Sequence, residues 1–340
     1  MYLISPLKKQ YKANLHCHST LSDGKRTPEQ LKEMYKSHGY SILSITDHEN
    51  PTNHSDLNDE DFITITGYEA YIRVTPKYDA YRQEIHINLF ARDPKNTALV
   101  CYNPLMCKYL SPERHITVKK VGSLEPRRLT VEYVNKFLKS ARENGYICAY
   151  NHPWWSMESE ETILSYEGFF SMEMCNYSSY LIGRLEYNAA LYDKLVLSGK
   201  KIYCHSTDDN HNVAPDDSPR SDSYGGFTMI IPEDFTYDSI FTAMEKGEMY
   251  SSMGPVFKEI SVEDGKIHIE CSEVERIMVF YGSKRPSREF AEIGKTIASA
   301  DFEIDPRAKF VRVSIVDQYG RFADTRAFSR EEVGLPAENE

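Results

Sequence analysis

The sequence lacks the features of a secreted or membrane-bound protein. In 340 residues, no apolar run approaches the length of a membrane span, and residues 1–12 contain no apolar stretch typical of a signal peptide. The seven cysteines are odd in number and include no Cys-x-x-Cys pair, which favours reduced thiols over a disulfide framework. We therefore expect a cytoplasmic protein that does not associate with membranes.

Positive charge is scarce. The chain has 40 Lys and Arg residues against 51 Asp and Glu residues, which gives a formal net charge of -11. This balance argues against broad binding to nucleic acid or to anionic membranes. A small anionic ligand would need a local centre of positive charge, and bound metal ions can supply one. The composition does not indicate an oligomeric state.

Up to about residue 254, short apolar segments alternate with amphipathic segments of helical period. Thr27 can cap a helix that begins at Pro28, with Gln30 completing a capping box and Gly39 following the last turn. A second helix is predicted over residues 130–144. Alternation of strand and helix is typical of an α/β protein with a parallel sheet or barrel.

Two regions depart from this alternation. Residues 75–126 contain one predicted strand, at 84–90, and otherwise show no clear periodicity, so we interpret them as an insertion. From residue 255 onward the pattern consists of short strands, with a hairpin turn at residues 317–320 and no long helix. We predict a first domain over residues 1–254 and a small all-β domain over residues 255–340.

Histidines and carboxylates follow the ends of the predicted strands. His16 and His18 are two residues apart, so on a strand they point the same way. In an α/β barrel the carboxyl ends of the strands form one rim, where active sites are built. Nine side chains would then converge at one place: His16, His18, Asp23, His48, Glu69, His86, His152, Asp209 and His211.

This combination of imidazoles and carboxylates suits Zn, Mn or Fe better than Ca or Mg. Nine candidates exceed the needs of one ion and fit two or three divalent ions, with a carboxylate such as Glu69 bridging them. Ions about 3.5 to 4 Å apart can hold a hydroxide between them and bind both oxygens of an in-line displacement at phosphorus. The pattern therefore predicts a bi- or trinuclear centre that hydrolyses phosphate esters.

Each of these residues also has an ordinary structural interpretation. Asp47 and His48 could form a turn, and Asp208, Asp209 and His211 could lie in a solvated loop. Their joint placement after predicted strands favours the metal interpretation. His205 is close enough in sequence to the site to contact a metal ligand without binding the metal itself. The alternative is a purely structural role.

In this order, the residues resemble the motifs of the PHP (polymerase and histidinol phosphatase) family of metal-dependent phosphoesterases. The similar segments cover roughly residues 12–255. They are Asn14-Leu15-His16-Cys17-His18-Ser19 with Ser22-Asp23-Gly24, Ile45-Thr46-Asp47-His48, Gly67-Tyr68-Glu69, Ile85-His86-Ile87, Asn151-His152-Pro153 and Thr207-Asp208-Asp209-Asn210-His211.

The resemblance implies a distorted, TIM-like, seven-stranded (β/α) barrel and assigns the nine candidates above as ligands of two or three divalent metals. The segments Gly225-Gly226-Phe227-Thr228 and Ser251-Ser252-Met253-Gly254-Pro255 resemble a two-domain subgroup with a β-sandwich-like C-terminal domain. The Asp-x-His spacing favours Asp209 over Asp208 as the ligand. The third metal depends on His86, which lies in the unusually long insertion.

The predicted reaction is hydrolysis of a phosphomonoester of a small molecule, with a metal-bridging hydroxide as the nucleophile. His48 or His211, if not fully committed to metal, could help to protonate the leaving oxygen, and Asp47 could orient a metal ligand. The expected partner is a small phosphorylated substrate. Nucleic acid is expected only as a nucleotide or a short oligonucleotide substrate.

Three further residues are candidates for substrate contact. Glu173 and Asn176 end another predicted strand, where they could touch the substrate or form hydrogen bonds that hold the strand end. Arg184 begins a predicted helix and could bind phosphate or be an exposed helix residue.

Two other functions remain open. An amidohydrolase-like reaction at carbon also uses histidine-rich barrels, although no lysine follows a mid-barrel strand, where a bridging carbamate would form. A non-catalytic module, stabilised by metal and binding a partner, is the third possibility. A metal analysis and a phosphatase assay would separate the three.

Overall fold

The computed structural model describes residues 1–74, 77, 79–184 and 186–337. The β-strands are Tyr2–Ile4 (β1), Tyr11–Cys17 (β2), Ile42–Ile45 (β3), Ile63–Thr64 (β4), Gly67–Arg73 (β5), Glu84–Ala91 (β6), Leu99–Val100 (β7), Lys120–Val121 (β8), Tyr146–Tyr150 (β9), Ser171–Asn176 (β10), Tyr203–Thr207 (β11), Phe227–Ile230 (β12), Met249–Ser252 (β13), Phe257–Glu263 (β14), Lys266–Val274 (β15), Arg276–Phe280 (β16), Ser287–Phe290 (β17), Ile297–Glu303 (β18), Arg312–Val316 (β19) and Phe322–Thr325 (β20). The α-helices are Pro28–Ser37 (α1), Pro112–Thr117 (α2), Val131–Glu143 (α3), Glu160–Leu164 (α4), Tyr177–Ser179 (α5), Ala189–Leu197 (α6) and Tyr237–Lys246 (α7). Ser55–Leu57 and Glu331–Val333 are 3-10 turns, and Tyr180–Arg184 is a π-helical turn.

The helices begin where their capping residues predict. At α1, the Thr27 hydroxyl accepts the backbone N–H of Gln30, and the Gln30 side chain accepts the N–H of Thr27, which confirms the capping box. At α3, Thr130 caps the first turn, and Gly145 follows the last turn with a φ of 82°. The largest apolar core lies between α3, α6 and the adjacent strands.

Helix α6 begins at Ala189, four residues later than the predicted start at residue 185. The preceding residues have other partners. The Glu186 carboxylate accepts the backbone N–H groups of Trp154 and Trp155 at 2.7 and 2.9 Å, and Tyr187 forms a β-bridge with Cys175. These tertiary contacts override the helical period of the local sequence.

The part of the chain before residue 255 is a mixed α/β structure built on two sheets. One has five strands in the order β11-β10-β9-β6-β5. The other begins β4-β3-β2-β12-β13 and continues into the C-terminal strands. Strands β2, β3 and β4 are parallel, as are β9, β10 and β11, whereas β6 and β12 are antiparallel to their neighbours. Single bridges join His48 to Glu69 and Cys17 to Asn210, but the strands of the described residues form no closed sheet.

Strand β6 lies inside the predicted insertion but is integral to the five-stranded sheet. It pairs with β5 on one side and β9 on the other, and all eight of its residues are buried. The segment that follows it, residues 92–127, contains β7, β8 and α2. This later segment is therefore the part that runs outside the main sheets.

The C-terminal strands form two layers around a shared apolar core. Strands β14, β15 and β18 form one sheet with β1, and β16, β17, β19 and β20 extend the nine-stranded sheet through the pairing of β20 with β13. Ile260, Ile269, Val279 and Val313 belong to the core between them. Because the sheet continues across residue 254, the proposed division into two domains stays a prediction. No helix in the described residues is long and apolar enough to cross a membrane.

A buried arginine connects the C-terminal strands to the helical layer. The Arg312 side chain on β19 is 1% exposed and forms a bidentate pair with Asp193 of α6 at 2.8 and 2.9 Å. Its remaining nitrogen donates to Asp324 of β20 at 2.6 Å, and Tyr187 donates to the second Asp324 oxygen. Removal of the arginine would leave the buried Asp324 and the partly buried Asp193 without their counter-ion.

We expect Arg312→Leu to lower the free energy of unfolding by about 3–5 kcal/mol, because it leaves the buried Asp324 carboxylate without its counter-ion. Urea denaturation measures the change. The control is Arg307→Leu, since Arg307 pairs with Asp305 on the surface with 88% of its side chain exposed. Equal denaturation midpoints for the two variants would contradict this account.

Candidate metal centre

The strand ends bring all nine predicted ligands into one cluster. His16 lies on β2 with His18 just beyond it, His48 follows β3, and Glu69 lies on β5. The remaining ligands come from β6, the end of β9 and the end of β11: His86, His152, Asp209 and His211. Asp23 reaches the same place from the turn after His18. A Cβ on Gly24 would lie 2.1 Å from the His18 carbonyl oxygen, so this turn requires glycine.

Glu69 is the centre of the cluster. Its Oε1 atom lies 3.2 Å from His16 Nε2, 3.1 Å from His86 Nδ1 and 3.4 Å from His152 Nε2. Its Oε2 atom lies 2.9 Å from His48 Nδ1 and 3.5 Å from His18 Nε2. The carboxylate is therefore in a position to bridge two ions, one at each oxygen.

Asp209 is the second carboxylate of the cluster, and it lies near His16, His18 and His152. Its Oδ1 atom lies 3.1 Å from His16 Nε2 and 3.0 Å from His18 Nε2, and its Oδ2 atom lies 4.0 Å from His152 Nε2. Asp208 points elsewhere, because its carboxylate accepts three backbone N–H groups of residues 224–226 and the Tyr35 hydroxyl. The geometry thus selects Asp209 as the candidate ligand.

Asp23 is the third carboxylate of the cluster, and it lies near His18, His48 and His211. Its Oδ1 atom lies 3.9 Å from His18 Nδ1 and 3.6 Å from His211 Nε2, and its Oδ2 atom lies 3.6 Å from His48 Nε2. These four residues offer ligand atoms that all lie within 4.8 Å of one another, as do the groups His16–His18–Glu69 and His48–Glu69–His86.

The residues present fit divalent metal ions. Asp23 Oδ1 and His152 Nδ1 are buried and have no hydrogen-bond partner among the described residues, although buried polar atoms are normally satisfied. The donor set combines imidazole and carboxylate, which Zn, Mn and Fe accept. His152 and Asp209 also have positive φ angles of 27° and 52°, a strained conformation that is common at functional sites.

Burial and neighbouring charges both shift the pKa values of the groups in the cluster. Burial would raise the pKa of Glu69, but the neighbouring His86, His16 and His48 rings hold it well below its usual value. Burial lowers the pKa of His18 to about 4, helped by His211 and His48, whereas the Glu69 carboxylate overcomes burial and raises the pKa of His86 to about 10. A metal that binds to His86 near neutral pH must therefore displace a proton.

A layer of hydrogen bonds behind the ligands orients them. Glu173 accepts from His16 Nδ1 at 2.8 Å, from the His152 backbone N–H at 2.6 Å and from the Thr207 hydroxyl at 2.6 Å. Asn176 donates to both Glu173 and Asp209. Because Glu173 holds the hydrogen on Nδ1, the Nε2 lone pair of His16 faces the cluster.

This layer argues against two of the predicted substrate contacts. Glu173 and Asn176 are both fully buried, and their polar atoms are engaged by ligands and by backbone. The geometry favours the alternative of strand-end hydrogen bonding, here with the ligands themselves. The side chain of Arg184 lies outside the described residues, so its predicted phosphate contact stays a prediction.

Asp47 and His205 occupy different positions behind the site. Asp47 accepts from the Ser19 backbone and hydroxyl and from the Ser22 hydroxyl, and Ser22 lies 3.4 Å from His18 Nδ1. It therefore acts on the loop that carries the ligands, as the orienting role requires.

His205 is fully buried, and neither ring nitrogen has a hydrogen-bond partner among the described residues.

Three side chains that were not among the predicted site residues also contact the candidate ligands. Asn151 donates to Glu69 Oε1 at 2.8 Å, and Glu84 lies 3.3 Å from His86 Nε2, which leaves His86 Nδ1 for the cluster. The Trp155 ring packs against His86 and His152 with centroid distances of 5.0 and 4.7 Å. All three lie close in sequence to a predicted ligand: Asn151 precedes His152, Trp155 follows His152 by three residues, and Glu84 is two residues before His86 on β6.

No protein-family model matches this chain, and no curated protein matches it. Among solved structures, a two-domain protein from Bacteroides vulgatus, described as containing a predicted PHP-like metal-dependent phosphoesterase, is 12% identical with a TM-score of 0.45. The match covers 96% of this chain and 89% of that one.

Two shorter matches have lower TM-scores. An amidohydrolase from Chromobacterium violaceum is 16% identical over 58% of this chain and 87% of that one, with a TM-score of 0.40. A proposed metal-dependent phosphoesterase from Bifidobacterium adolescentis is 14% identical over 62% of this chain and 91% of that one, with a TM-score of 0.38.

The chain resembles PHP-like proteins. The description of the Bacteroides vulgatus protein names the same family and the same two-domain organisation as the motifs do. At TM-scores below 0.5, these likenesses add no weight of their own. The motifs and the geometry of the cluster are what indicate a function.

We expect His16→Ala to reduce the metal content of the purified protein, because Nε2 of His16 lies between Glu69 and Asp209. Elemental analysis by mass spectrometry measures the ions per chain. His268→Ala is the matched control, since His268 pairs with Asp301 on an exposed strand. An unchanged metal content in His16→Ala would count against the cluster as a metal centre.

Glu173→Gln separates a positioning role from a substrate contact. Loss of the charged partner of His16 Nδ1 should weaken metal binding about 10–100-fold, as changes behind metal ligands commonly do. Titration calorimetry with Zn²⁺ measures the affinity, and Glu167→Gln, a surface residue that pairs with Lys200, is the control. Wild-type affinity in Glu173→Gln would restore the substrate-contact hypothesis.

Proposed function

We propose that this chain is a PHP-family phosphoesterase that hydrolyses a phosphomonoester of a small molecule with the help of two or three divalent metal ions. The observation that carries the proposal is the Glu69 carboxylate, which is 1% exposed and has three imidazole rings within 3.5 Å of Oε1 and two within 3.5 Å of Oε2. The proposal includes a distorted seven-stranded barrel over residues 1–254 and a β-sandwich-like domain over residues 255–340.

The nine ligands divide naturally among two or three ions. Glu69 Oε1 and Asp209 face His16 and His152, whereas Glu69 Oε2 faces His48 and His18. Asp23 and His211 would complete a group with His18 and His48, and His86 would complete one with Glu69. Zn, Mn or Fe are the metals that this donor set favours.

When bound, such ions acidify water and stabilise negative charge on phosphoryl oxygens. The chain has a net negative charge, so bound ions would create a local centre of positive charge at the cluster. Phosphate monoesters are dianionic near neutral pH, so they match a centre with several positive charges. This match favours reaction at phosphorus over reaction at an uncharged carbonyl carbon.

The two histidines proposed as proton donors are the most accessible of the six. The His211 side chain is 27% exposed and the His48 side chain 13%, against 11% or less for the other four. His211 Nδ1 lies 3.0 Å from the Asp209 carbonyl oxygen, so Nδ1 holds a hydrogen and Nε2 faces Asp23. A leaving oxygen would reach these rings before the buried ones, and a ring could protonate it only where its nitrogen is not committed to a metal ion.

The amidohydrolase-like alternative receives little support from the centre. Among the described residues, five histidines and Asn151 contact the Glu69 carboxylate, and no lysine that could form a bridging carbamate is among them. The non-catalytic alternative would require a complete ligand set that serves binding alone. Both are outcomes of the following experiment.

We expect the metal-loaded protein to release inorganic phosphate from a panel of phosphomonoesters that includes sugar, amino-alcohol and nucleotide monophosphates. Chelator treatment should abolish turnover, and Zn, Mn or Fe should restore it, because the centre supplies the positive charge. The same preparation is assayed on carboxylic esters, amides and lactones. Turnover of those substrates alone would favour reaction at carbon, and no turnover with bound metal would favour the binding module.

A further inference from the structure

The segment that follows β6 is fixed to the loop that carries His48. Glu49, the residue after His48, forms a buried ion pair with Arg127. The two terminal guanidinium nitrogens, Nη1 and Nη2, each donate to one carboxylate oxygen. Arg127 also donates to the carbonyl oxygens of Tyr71, Cys101 and Val100. Since both charged side chains are fully buried, the ion pair holds the two ends of this segment, near residues 100 and 127, against the site.

Two further hydrogen bonds hold the middle of the segment. The Tyr71 hydroxyl of β5 donates to the Met106 carbonyl at 2.5 Å, and Arg114 of α2 donates to the Pro51 carbonyl at 2.8 Å. The donor Tyr71 is two residues from Glu69, and the acceptor Pro51 is three residues from His48. Tyr109 lies between these two anchors and is held at the edge of the metal centre.

Tyr109 contacts two of the candidate ligands. Its hydroxyl donates to Asp23 Oδ2 at 2.9 Å, and its ring lies parallel to the His48 ring at a centroid distance of 6.2 Å. Asp23 Oδ1 is buried, has no hydrogen-bond donor among the described residues, and faces His18 and His211. One oxygen of Asp23 is thus held by Tyr109, and the other is left for a cation.

We propose that Tyr109 is a positioning residue of the metal centre, which fixes Asp23 so that Oδ1 faces the ion shared with His18, His48 and His211. The inference rests on the metal centre of the proposed function but not on the identity of its substrate. The segment over residues 92–127 is then part of the site, because its Tyr109 supplies the hydroxyl that donates to Asp23 Oδ2.

The chemistry of the contact fits this role. The Asp23 carboxylate can only accept hydrogen bonds, and the Tyr109 hydroxyl is placed to donate one to Oδ2. The Asp23 side chain is 35% exposed and lies in a turn, so without the donor it could rotate toward water. A hydrogen bond to the second oxygen restricts that rotation, as outer partners of metal-bound carboxylates commonly do.

Tyr109→Phe removes the hydroxyl and keeps the ring. We expect Zn²⁺ affinity to fall about 10–100-fold, or one ion per chain to be lost, while the metal-free protein keeps its denaturation midpoint. Calorimetry measures affinity and stoichiometry, and the absorption bands of the Co²⁺-loaded protein should change because the coordination of Asp23 changes. Tyr102→Phe is the control, since Tyr102 lies in the same segment and its hydroxyl contacts His115 instead.

A double-mutant cycle with Asp23→Asn distinguishes the contact from a general effect on folding. If Tyr109 acts through Asp23, Tyr109→Phe should have little further effect on metal affinity in the Asp23→Asn background. Unchanged affinity, stoichiometry and Co²⁺ spectrum in Tyr109→Phe, or equal additive losses in both backgrounds, would overturn the proposal. A wild-type protein that binds no metal would overturn it together with the proposed function, whereas metal binding without phosphatase turnover would overturn only the latter.

Discussion

The Glu69 carboxylate is nearly inaccessible to solvent and lies among five imidazole rings. A buried charge of this kind is costly unless compensating groups surround it, and here those groups come from β2, β3, β6 and β9. The ends of these strands must therefore meet beside β5. The residues behind them, such as Glu173 and Asn151, keep each ring and carboxylate oriented toward the same space. Divalent ions would complete the compensation and give the cluster its chemistry.

Much of this arrangement could be predicted from local signals. Thr27 and Gln30 define the start of α1 because capping depends on residues three positions apart. Most of the ligands could be found because they follow apolar strands whose carboxyl ends meet at one edge. Glu69 and His86 differ, since each lies near the amino end of a strand, in the antiparallel pair β5 and β6. The choice of Asp209 over Asp208 also followed from spacing, and the three backbone N–H groups around Asp208 explain it physically.

The remaining features depend on partners far apart in the chain. Arg127 and Glu49 are 78 residues apart, Tyr109 and Asp23 86, and Arg312 and Asp193 119, so no periodic pattern links them. The same reason explains why β6 could be taken for part of an insertion. Its sequence predicts a buried strand, but only the tertiary pairing places it between β5 and β9. The late start of α6 likewise results from the contacts of Glu186 with the tryptophan loop.

Anomalous X-ray diffraction from crystals of the protein loaded with Zn²⁺ or Mn²⁺ tests the central claim most directly, because it locates the ions without reference to any substrate. The account predicts at least two ions in the cluster, with each Glu69 oxygen about 2.0–2.2 Å from an ion that also contacts imidazole nitrogen. Anomalous density confined to the protein surface, or a Glu69 carboxylate that contacts no ion in fully loaded crystals, would contradict it.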